Sequence, residues 1–441
     1  MLIQFSVKNY KSFKDEVKLS MVASNSDKTR VADNVIDVPK FHLKLLRSAV
    51  IYGANASGKS KLLEAMDFMR SFILTSSKET QAIEPIKTDP FRLSTETENA
   101  PSLFEINFIF ENELYRYGFE VTKQEVVSEW LYVRSNTKEV EMFYRDYQKF
   151  DIHDKYKQAK FVVGNDMVRE NALLLSVAAQ FNDKIAKKIL LWFIKFKIFS
   201  GFQESMGLST AMLEEEQSKT KVMQFMKAAD LEIEDLKPVR ISIEQLPKEM
   251  PEELREFISN KIKEGESNFF SDVSVFRKKY DENRNPVDSK PRFSMEKDES
   301  QGTKKYFAFG GHLIKALEEG SIAIIDELDA KLHPNLVSEI VATFNSVETN
   351  QKNAQLIFNT HDDNLLSSGI IRRDQIWFTE KDRYGVSTLF SLDSFRDENG
   401  EKPRKGAEEN YARNYIRGKY GAIPYLNGFN KLFLTQKEAI H

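Results

Sequence analysis

The sequence predicts an α/β protein with a mixed central sheet and flanking helices, on three observations. Residues 48–52 are a short apolar run of the buried-strand type, and residues 61–73 follow with the apolar spacing of an amphipathic helix. Residues 322–325 and 355–359 are two more strands of the buried type. Helical spacing over residues 335–344 separates these last two strands, which is the alternation expected of an α/β fold.

The turn between the first strand and its helix has the spacing G-x-x-x-x-G-K-S of a phosphate-binding loop. Its glycines let the backbone wrap a phosphate group, to which the amides of the loop and of the helix N-terminus present positive partial charge. Lys59 would reach the β- and γ-phosphates of a nucleoside triphosphate, and Ser60 would hold Mg²⁺. The predicted nucleotide-binding residues of this loop are Gly53, Asn55, Ser57, Gly58, Lys59 and Ser60.

Composition bounds the remaining possibilities. A length of 441 residues allows two or three domains, and a net charge of −3 gives no global signal for nucleic-acid binding. The absence of cysteine removes disulfides and thiol nucleophiles and suits a reducing compartment. We find neither a signal-peptide pattern nor an apolar stretch near 18 residues, so we expect a cytoplasmic protein without a membrane segment.

A second motif lies at the end of the strand over residues 322–325, where Asp326 and Glu327 follow directly. Asp326 would bind Mg²⁺, and Glu327 would polarise the attacking water as general base. The alternative is a buried strand that happens to end in a charged turn. The phosphate loop earlier in the same chain favours the catalytic interpretation.

Two further segments are candidates for contacts to the nucleotide. Ser300, Gly302 and Thr303 open a predicted helix and could form another anion site, although an ordinary helix cap would have the same residues. His361 follows the strand over residues 355–359 and could reach the γ-phosphate or orient the water. The alternative for His361 is an ordinary surface histidine.

The linear order of these motifs resembles the head of an ABC-type ATPase, and the likeness is strongest to the SMC and RecF branch. Asn55 within the phosphate loop and the start LIQFSVKNYKSF are typical of that branch. Transporter heads normally carry Leu-Ser-Gly-Gly-Gln, from which Ser300-Gln301-Gly302-Thr303 departs. The segments Pro90-Phe-Arg-Leu93, Asn171-Ala-Leu-Leu-Leu175 and Gly418-Lys-Tyr-Gly-Ala-Ile-Pro424 are similar to bacterial ATPases of the AAA15 or AbiLi-like group.

The resemblance implies that two heads dimerise head to tail around two ATP molecules. Ser300 and Gly302 of one protomer would then contact the γ-phosphate held by the phosphate loop of the other, with Asp329 at the dimer seam. A single phosphate loop and a second anion site in one chain suit such a shared interface. The glutamine that usually follows the first helix is not found, and the turn at residues 10–13 is a candidate for adenine contacts.

The pattern along the chain predicts four regions. Residues 104–110 and 113–121 read as a β-hairpin, residues 22–44 as a polar surface loop, and the stretch after residue 128 as mostly helical. The predicted regions are an N-terminal lobe of the ATPase head with the phosphate loop and an antiparallel β subdomain (1–127), a mainly helical insertion (128–270), a C-terminal lobe with the other motifs (271–397) and a tail (398–441).

The resemblance favours an ATPase that works in a bacterial anti-phage system and controls a separately encoded effector. In keeping with a separate effector, the residues after His361 show no acidic cluster like that of a Toprim nuclease. The alternative is a RecF- or SMC-like ATPase that binds DNA, for which basic runs at residues 277–279, 304–305 and 372–373 are candidate contacts. A third and weaker alternative is an energising subunit of a membrane transporter.

Overall fold

The computed structural model describes residues 1–78, 81, 83–200, 206–229, 232–240, 250–263, 270–396 and 410–424. Its strands are β1 Leu2–Lys8, β2 Val17–Ser20, β3 Val35–Val38, β4 Leu43–Leu46, β5 Ser48–Gly53, β6 Ser102–Phe110, β7 Glu113–Val121, β8 Val126–Arg134, β9 Val140–Asp146, β10 Lys149–Ile152, β11 Phe196–Ser200, β12 Ile233–Arg240, β13 Phe270–Arg277, β14 Lys279–Tyr280, β15 Pro286–Val287, β16 Arg292–Ser294, β17 Ile322–Asp326, β18 Gln355–Asn359, β19 Ile376–Lys381 and β20 Ser387–Ser391. Its α-helices are α1 Val31–Asn34, α2 Lys59–Thr75, α3 Lys157–Gly164, α4 Leu174–Gln180, α5 Lys184–Lys195, α6 Gly207–Ala211, α7 Glu216–Ala228, α8 Glu252–Lys263, α9 Gln301–Glu319, α10 Pro334–Asn345, α11 Asn364–Ser367 and α12 Tyr411–Ile416.

The chain divides into two compact units. The first unit comprises Met1–Phe196 and Ile357–His441, and the second comprises Lys197–Leu356. An antiparallel seven-stranded sheet in the first unit has the order β10-β9-β8-β7-β6-β1-β2. Aromatic side chains on one face of this sheet pack against α2, with the ring centroid of Phe68 4.9 Å from that of Phe104 and Phe72 5.5 Å from Phe119. Burial of each such ring contributes about 2–3 kcal/mol, so this face anchors the helix that begins at Lys59.

The strand that enters the phosphate loop lies in a mixed sheet of the first unit. In this sheet β5 is flanked by β18, whose last residues Ile357 to Asn359 belong to this unit, and by β19, which is followed by β20. β5 pairs with β19 in parallel, and β19 pairs with β20 antiparallel. Every residue of β5 is buried, as the apolar run predicts.

The second unit is built around the long helix α9. Its buried residues lie on most faces and include Phe307, Phe309 and Leu313, while α6 and α7 pack against it. The Ser209 hydroxyl on α6 donates to the backbone carbonyl of Phe307 at 2.5 Å and accepts from the backbone amide of Gly311 at 2.9 Å. A sheet of order β12-β13-β16 and the short hairpin β14-β15 complete the strands before β17.

The predicted surface loop over residues 22–44 is wrong in part. It contains α1, and β3 pairs with β4 as an antiparallel hairpin. Ile36, Val38 and Leu45 join Ile3 and Ile109 in a hydrophobic cluster of the first unit. The apolar pairs and single residues of this hairpin are short, so the average polarity of residues 22–44 concealed them.

The predicted start of a helical region at residue 128 is also wrong. The boundary falls inside β8, and β8, β9 and β10 extend the antiparallel sheet to residue 152. Helices begin only at α3. The alternation of these strands was hidden because Glu129 and Arg145 occupy buried positions where an apolar residue is expected. From α3 to α8 the described segments are mainly helical, with β11 and β12 between them.

Parts of all four predicted regions lie outside the described residues. These parts are 79–80 and 82 of the N-terminal lobe, 201–205, 230–231, 241–249 and 264–269 of the insertion, 397 of the C-terminal lobe, and 398–409 and 425–441 of the tail. The described piece of the tail contains α12. Nowhere in the described ranges is a helix both long and apolar enough to cross a lipid bilayer.

Glu129 and Arg145 form a fully buried polar network on β8 and β9. The Glu129 carboxylate accepts from the Tyr117 hydroxyl at 2.8 Å and from the backbone amides of Leu174 and Leu175 at 2.7 and 3.1 Å. The Arg145 guanidinium lies 3.7 Å from Glu129 and donates to four backbone carbonyls, including that of Ala172 at 2.7 Å. Burial raises the pKa of Glu129, and these donors and the guanidinium act against that rise.

We predict that Arg145→Ala lowers the free energy of unfolding by about 3–5 kcal/mol, because it leaves the charge of Glu129 buried without its cationic partner and several buried carbonyls without their donor. Urea unfolding followed by circular dichroism measures the loss. Lys160→Ala is the control, because Lys160 pairs with Asp154 at an exposed position. Equal stability of the two variants would contradict the structural importance of the network.

Candidate nucleotide-binding site

The phosphate loop is closely packed at both of its glycines. A Cβ atom at Gly53 would lie 2.5 Å from the Ser57 hydroxyl and from the backbone oxygen of Thr379. Gly58 has φ +119°, and a Cβ atom there would lie 2.8 Å from the Ser387 hydroxyl. Only glycine fits both positions, and the resulting backbone curve is the cradle that a phosphate group requires.

Lys59 and Ser60 open α2, as a phosphate site requires. Lys59 is buried, and its ammonium donates to the backbone oxygens of Gly53 at 2.8 Å and Ala54 at 3.1 Å. Ser60 is half-buried in the first turn, and Asn55 is exposed on the loop. Among the described residues, no side chain caps the N-terminus of this 17-residue helix. The positive end of the helix and the lysine cation therefore act at the same loop.

Two neighbouring segments of the first unit support the loop. The hydroxyls of Ser57 and Thr379 are 2.6 Å apart, which joins the loop to β19. The backbone amide of Ser387 donates to the backbone oxygen of Ser12 at 2.8 Å. Within the part of the chain that is described, the buried hydroxyl oxygens of Ser12 and Ser387 have no hydrogen-bond partner. Because both lie beside Gly58, they are polar groups available to a ligand of the loop.

His361 lies at the carboxyl end of β18, next to β5. Its side chain is exposed, while its neighbours are fixed. The Thr360 amide donates to the backbone oxygen of Ile51 at 3.3 Å, and the Tyr52 hydroxyl donates to the backbone oxygen of Asp362 at 3.0 Å. The structure thus brings the phosphate loop and the His361 segment together within the first unit, and an exposed imidazole there can exchange protons with a ligand.

Ser300, Gly302 and Thr303 form the start of α9 in the second unit. Ser300 is the N-cap, and its hydroxyl accepts from the Thr303 amide at 3.1 Å. The Ser300 and Thr303 hydroxyls are 2.9 Å apart. A Cβ atom at Gly302 would lie 2.8 Å from the backbone oxygen of Lys331. Ser300 therefore caps α9. A serine hydroxyl that accepts a capping hydrogen bond can still donate its own proton to another group.

Asp326, Glu327 and Asp329 follow one another at the end of β17 in the same unit. Asp326 and Glu327 are half-buried. Glu327 has φ +55°, a left-handed conformation that costs a residue with a side chain about 1–2 kcal/mol. Tight backbone bonds from Ala330 to Glu327 and from Leu332 to Asp329 hold the turn, at 3.1 and 3.0 Å.

Lys305 on α9 holds this turn, a role that the sequence did not reveal. It is buried on α9, and its ammonium donates to the backbone oxygens of Glu327 at 3.0 Å, Leu328 at 3.3 Å and Ala330. One cation therefore fixes the carbonyls of the turn that carries Glu327 and Asp329. Its signal in the sequence is weak, because a lysine in a helix usually faces solvent.

Each unit thus gathers its own subset of the predicted residues. The first holds the phosphate loop and His361, and the second holds Ser300 to Thr303 and the turn from Asp326 to Asp329. Among the described residues, no group of three or more His, Asp or Glu side chains could hold a metal ion.

A protein-family model matches residues 48–162 and 222–367, which is more than half of the chain. Its description is "AAA domain, putative AbiEii toxin, Type IV TA system". The chain belongs to this family. The ranges that match the AAA-domain family include the phosphate loop, the Ser300 helix start, Asp326, Glu327 and His361.

Two solved structures are similar to this AAA-domain protein at low identity. The SMC head domain from Thermotoga maritima is 12% identical with a TM-score of 0.39, covering 88% of this chain and 98% of that domain. The dimeric structure of a post-hydrolysis state of the ATP-binding cassette MJ0796 bound to ADP and Pi is 14% identical with a TM-score of 0.27, covering 89% and 100%. A search of curated proteins gave no match.

The predicted fold class is confirmed. The protein is an α/β P-loop NTPase, with a mixed sheet, flanking helices and an antiparallel sheet. The narrower assignment to the AAA15 or AbiLi-like group stays a prediction, as do the individual roles of the site residues.

We predict that Lys305→Met destabilises the AAA-domain protein by about 1–3 kcal/mol, because the turn carbonyls lose a buried charged donor. Chemical unfolding of the wild-type protein and of Lys305→Met measures the difference in the free energy of unfolding. Lys315→Met on the same helix is the control, because Lys315 is exposed and pairs within the helix, with Glu319 at 4.0 Å. A loss no larger than in the control would show that the lysine does not hold the turn.

Proposed function

We propose that the protein hydrolyses ATP to ADP and phosphate with Mg²⁺ as cofactor. The observation that carries the proposal is the geometry of the phosphate loop, where two close-packed glycines, a buried lysine and an uncapped helix N-terminus act on one concavity. The unpartnered hydroxyls of Ser12 and Ser387 beside Gly58 fit the same ligand. Membership of an AAA-domain family supports ATP as the nucleotide.

The roles of the residues follow from their chemistry. Mg²⁺-bound ATP supplies the phosphoryl group and the cation that neutralises its charge. The Lys59 ammonium exchanges the Gly53 and Ala54 carbonyls for phosphate oxygens, and Ser60 and Asp326 are the candidate metal ligands. Glu327 accepts the proton of the attacking water, and the exposed imidazole of His361 donates to the γ-phosphate or orients that water.

We further propose that the active form is a dimer in which the helix start at Ser300 serves the ATP of a second copy of the chain. Three features support this. The chain has one phosphate loop, Ser300 keeps a donatable proton at an N-terminus of a 19-residue helix, and Asp329 lies in the turn that Lys305 holds. ATP binding would close this dimer, and hydrolysis would open it.

We place this switch in bacterial defence, where it controls a separately encoded effector. The family description, which names an AbiEii toxin and a type IV toxin–antitoxin system, supports that setting. The alternative of a DNA-binding ATPase is weakened by the basic runs, whose side chains mostly pair within the protein. The pairs are Arg277 with Glu299, Lys278 with Glu234, Lys304 with Glu296, Arg372 with Asp374 and Arg373 with Asp393. Salt-dependent binding to duplex DNA would revive that alternative.

We expect Lys59→Ala to weaken ATP binding by about 10- to 100-fold and to abolish turnover, because a charge-assisted contact to the phosphates is lost. Fluorescent-nucleotide titration and phosphate release measure the two effects. Lys61→Ala is the matched control, because Lys61 lies two residues on and pairs with Glu64 at 2.8 Å. Unchanged hydrolysis in Lys59→Ala would refute the site.

In bacteria that carry the gene with its neighbours, Lys59→Ala should also remove protection from phage, and retained protection would refute the defence role.

We expect Glu327→Gln to accumulate an ATP-bound dimer, because the amide keeps the shape of the side chain but cannot accept the water proton. Light scattering after size exclusion, with and without ATP, measures the mass. The double variant Lys59→Ala/Glu327→Gln should remain insensitive to ATP. A Glu327→Gln protein that binds ATP yet keeps one mass in both conditions would argue against the dimer switch.

A further inference from the structure

The helices α3, α4 and α5 of the first unit carry an excess of positive charge. Together they contain six lysines and no aspartate or glutamate, in a chain whose net charge is −3. Two of the lysines are paired, Lys160 with Asp154 at 2.5 Å and Lys188 with Glu111 and Glu113 at 3.3 and 2.7 Å. The lysines without an ion-pair partner among the described residues are Lys157, Lys184, Lys187 and Lys195. This region therefore offers positive charge to a binding partner.

The exposed side of α5 combines these lysines with apolar residues. Leu191 and Ile194 are 51% and 47% exposed, and Lys184 and Lys187 are exposed in the turns before them. The four positions are separated by three, four and three residues, so they form one narrow stripe along the helix. A stripe of this spacing is the seam along which a second helix packs, whereas a lipid surface requires a wider apolar face.

The stripe continues at its N-terminal end into a pair of exposed aromatic rings. Phe161 on α3 and Phe181 before α5 are 49% and 39% exposed, and their ring centroids are 6.4 Å apart. The Lys187 ammonium donates to the side-chain oxygen of Asn182 at 3.3 Å, which joins the residue after Phe181 to the stripe. Exposed apolar side chains that lie together between charged ones indicate an interaction site.

The opposite side of α5 is fixed within the first unit. The ring of Trp192 stacks on that of Phe108 in β6 with their centroids 4.0 Å apart, and Phe193 is fully buried. The Arg70 guanidinium on α2 donates to the backbone oxygen of Phe193 at 3.2 Å. Because α5 packs against α2, which begins at Lys59, a partner on the exposed side of α5 would lie one helix away from the phosphate-loop helix.

We propose that this surface docks an acidic helix of the separately encoded effector. Its residues are Phe161, Phe181, Lys184, Lys187, Leu191 and Ile194. The inference rests on the proposed function, which supplies the effector. The docked helix presents apolar residues at spacings of three and four to the stripe, and its carboxylates face the lysines, which favours this partner over others. A symmetric contact with a second copy of the chain would bring the same lysines together, so charge repulsion disfavours it.

A synthetic peptide that binds the full chain without nucleotide tests the proposal. The probe is a labelled helical peptide with leucines at spacings of three and four and glutamates between them, and its counterpart has lysines in place of the glutamates. Fluorescence anisotropy should show that the acidic peptide binds the wild-type protein better than the basic one. Leu191→Glu should weaken binding about tenfold, because it replaces an apolar contact with a charge that repels the glutamates. Val347→Glu is the control, because Val347 is 50% exposed and belongs to the second unit.

The double variant Lys184→Glu/Lys187→Glu gives a second measurement at two exposed positions. It should reverse the preference, so that the basic peptide binds better than the acidic one. Failure of the acidic peptide to bind the wild-type protein, an unreversed preference, or equal weakening in Val347→Glu would overturn the proposal. So would binding of phosphatidylglycerol vesicles or of a single-stranded oligonucleotide in place of the peptide, because either would assign the surface to another class of partner.

These outcomes separate the docking surface from the proposed function. Peptide binding is measured without nucleotide, so it still decides the role of the surface if the wild-type protein does not hydrolyse ATP. Leu191→Glu should keep the wild-type rate of ATP hydrolysis, because Leu191 lies outside the nucleotide site. In bacteria that carry the gene with its neighbours, Leu191→Glu should lose protection from phage while Val347→Glu keeps it. Protection retained by Leu191→Glu would show that the effector does not dock there.

Discussion

The parallel pairing of β5 with β19 places Thr379 opposite Gly53, and the shape of the phosphate loop depends on that register. Thr379 on β19 leaves no space for a side chain at Gly53. Its hydroxyl also forms a hydrogen bond with the hydroxyl of Ser57 in the loop. A shift of one residue would place Phe378 or Glu380 there and would turn every side chain of the strand to the other face.

The polar interior of the first unit illustrates how charge can specify structure. Glu129 and Arg145 bind backbone groups at the start of α4 and in the segment before it, which join the antiparallel sheet to the helices that follow. A buried pair of this kind adds less stability than apolar residues of the same volume would add. Its donors and acceptors are satisfied in only one arrangement of sheet and helix, so it favours that arrangement over its alternatives.

The sequence predicted those parts of the fold in which local pattern and tertiary environment agree. The hairpin β6–β7, the strand β5 and the helix α2 follow from periodicity and turn residues, and the phosphate loop follows from its spacing. β8 to β10 were missed because buried charges interrupt their alternation. Lys305 was missed because its role comes from contacts with residues distant in sequence, which no local pattern records. For the same reason the basic runs suggested free charge, whereas Arg372 and Arg373 are buried ion-pair partners.

The seven-stranded sheet has an open edge at β10, and this edge bears on how the protein behaves at high concentration. An exposed edge strand offers unpaired amides and carbonyls to the sheet of another molecule, which is a common route to aggregation. β10 is only four residues long, and its two exposed side chains are Lys149 and Asp151. A strand of another molecule that paired with β10 would have to accommodate the charged side chains of Lys149 and Asp151. It would gain only the few backbone hydrogen bonds that a four-residue strand can form. The composition of this one strand therefore protects the sheet against edge-to-edge growth.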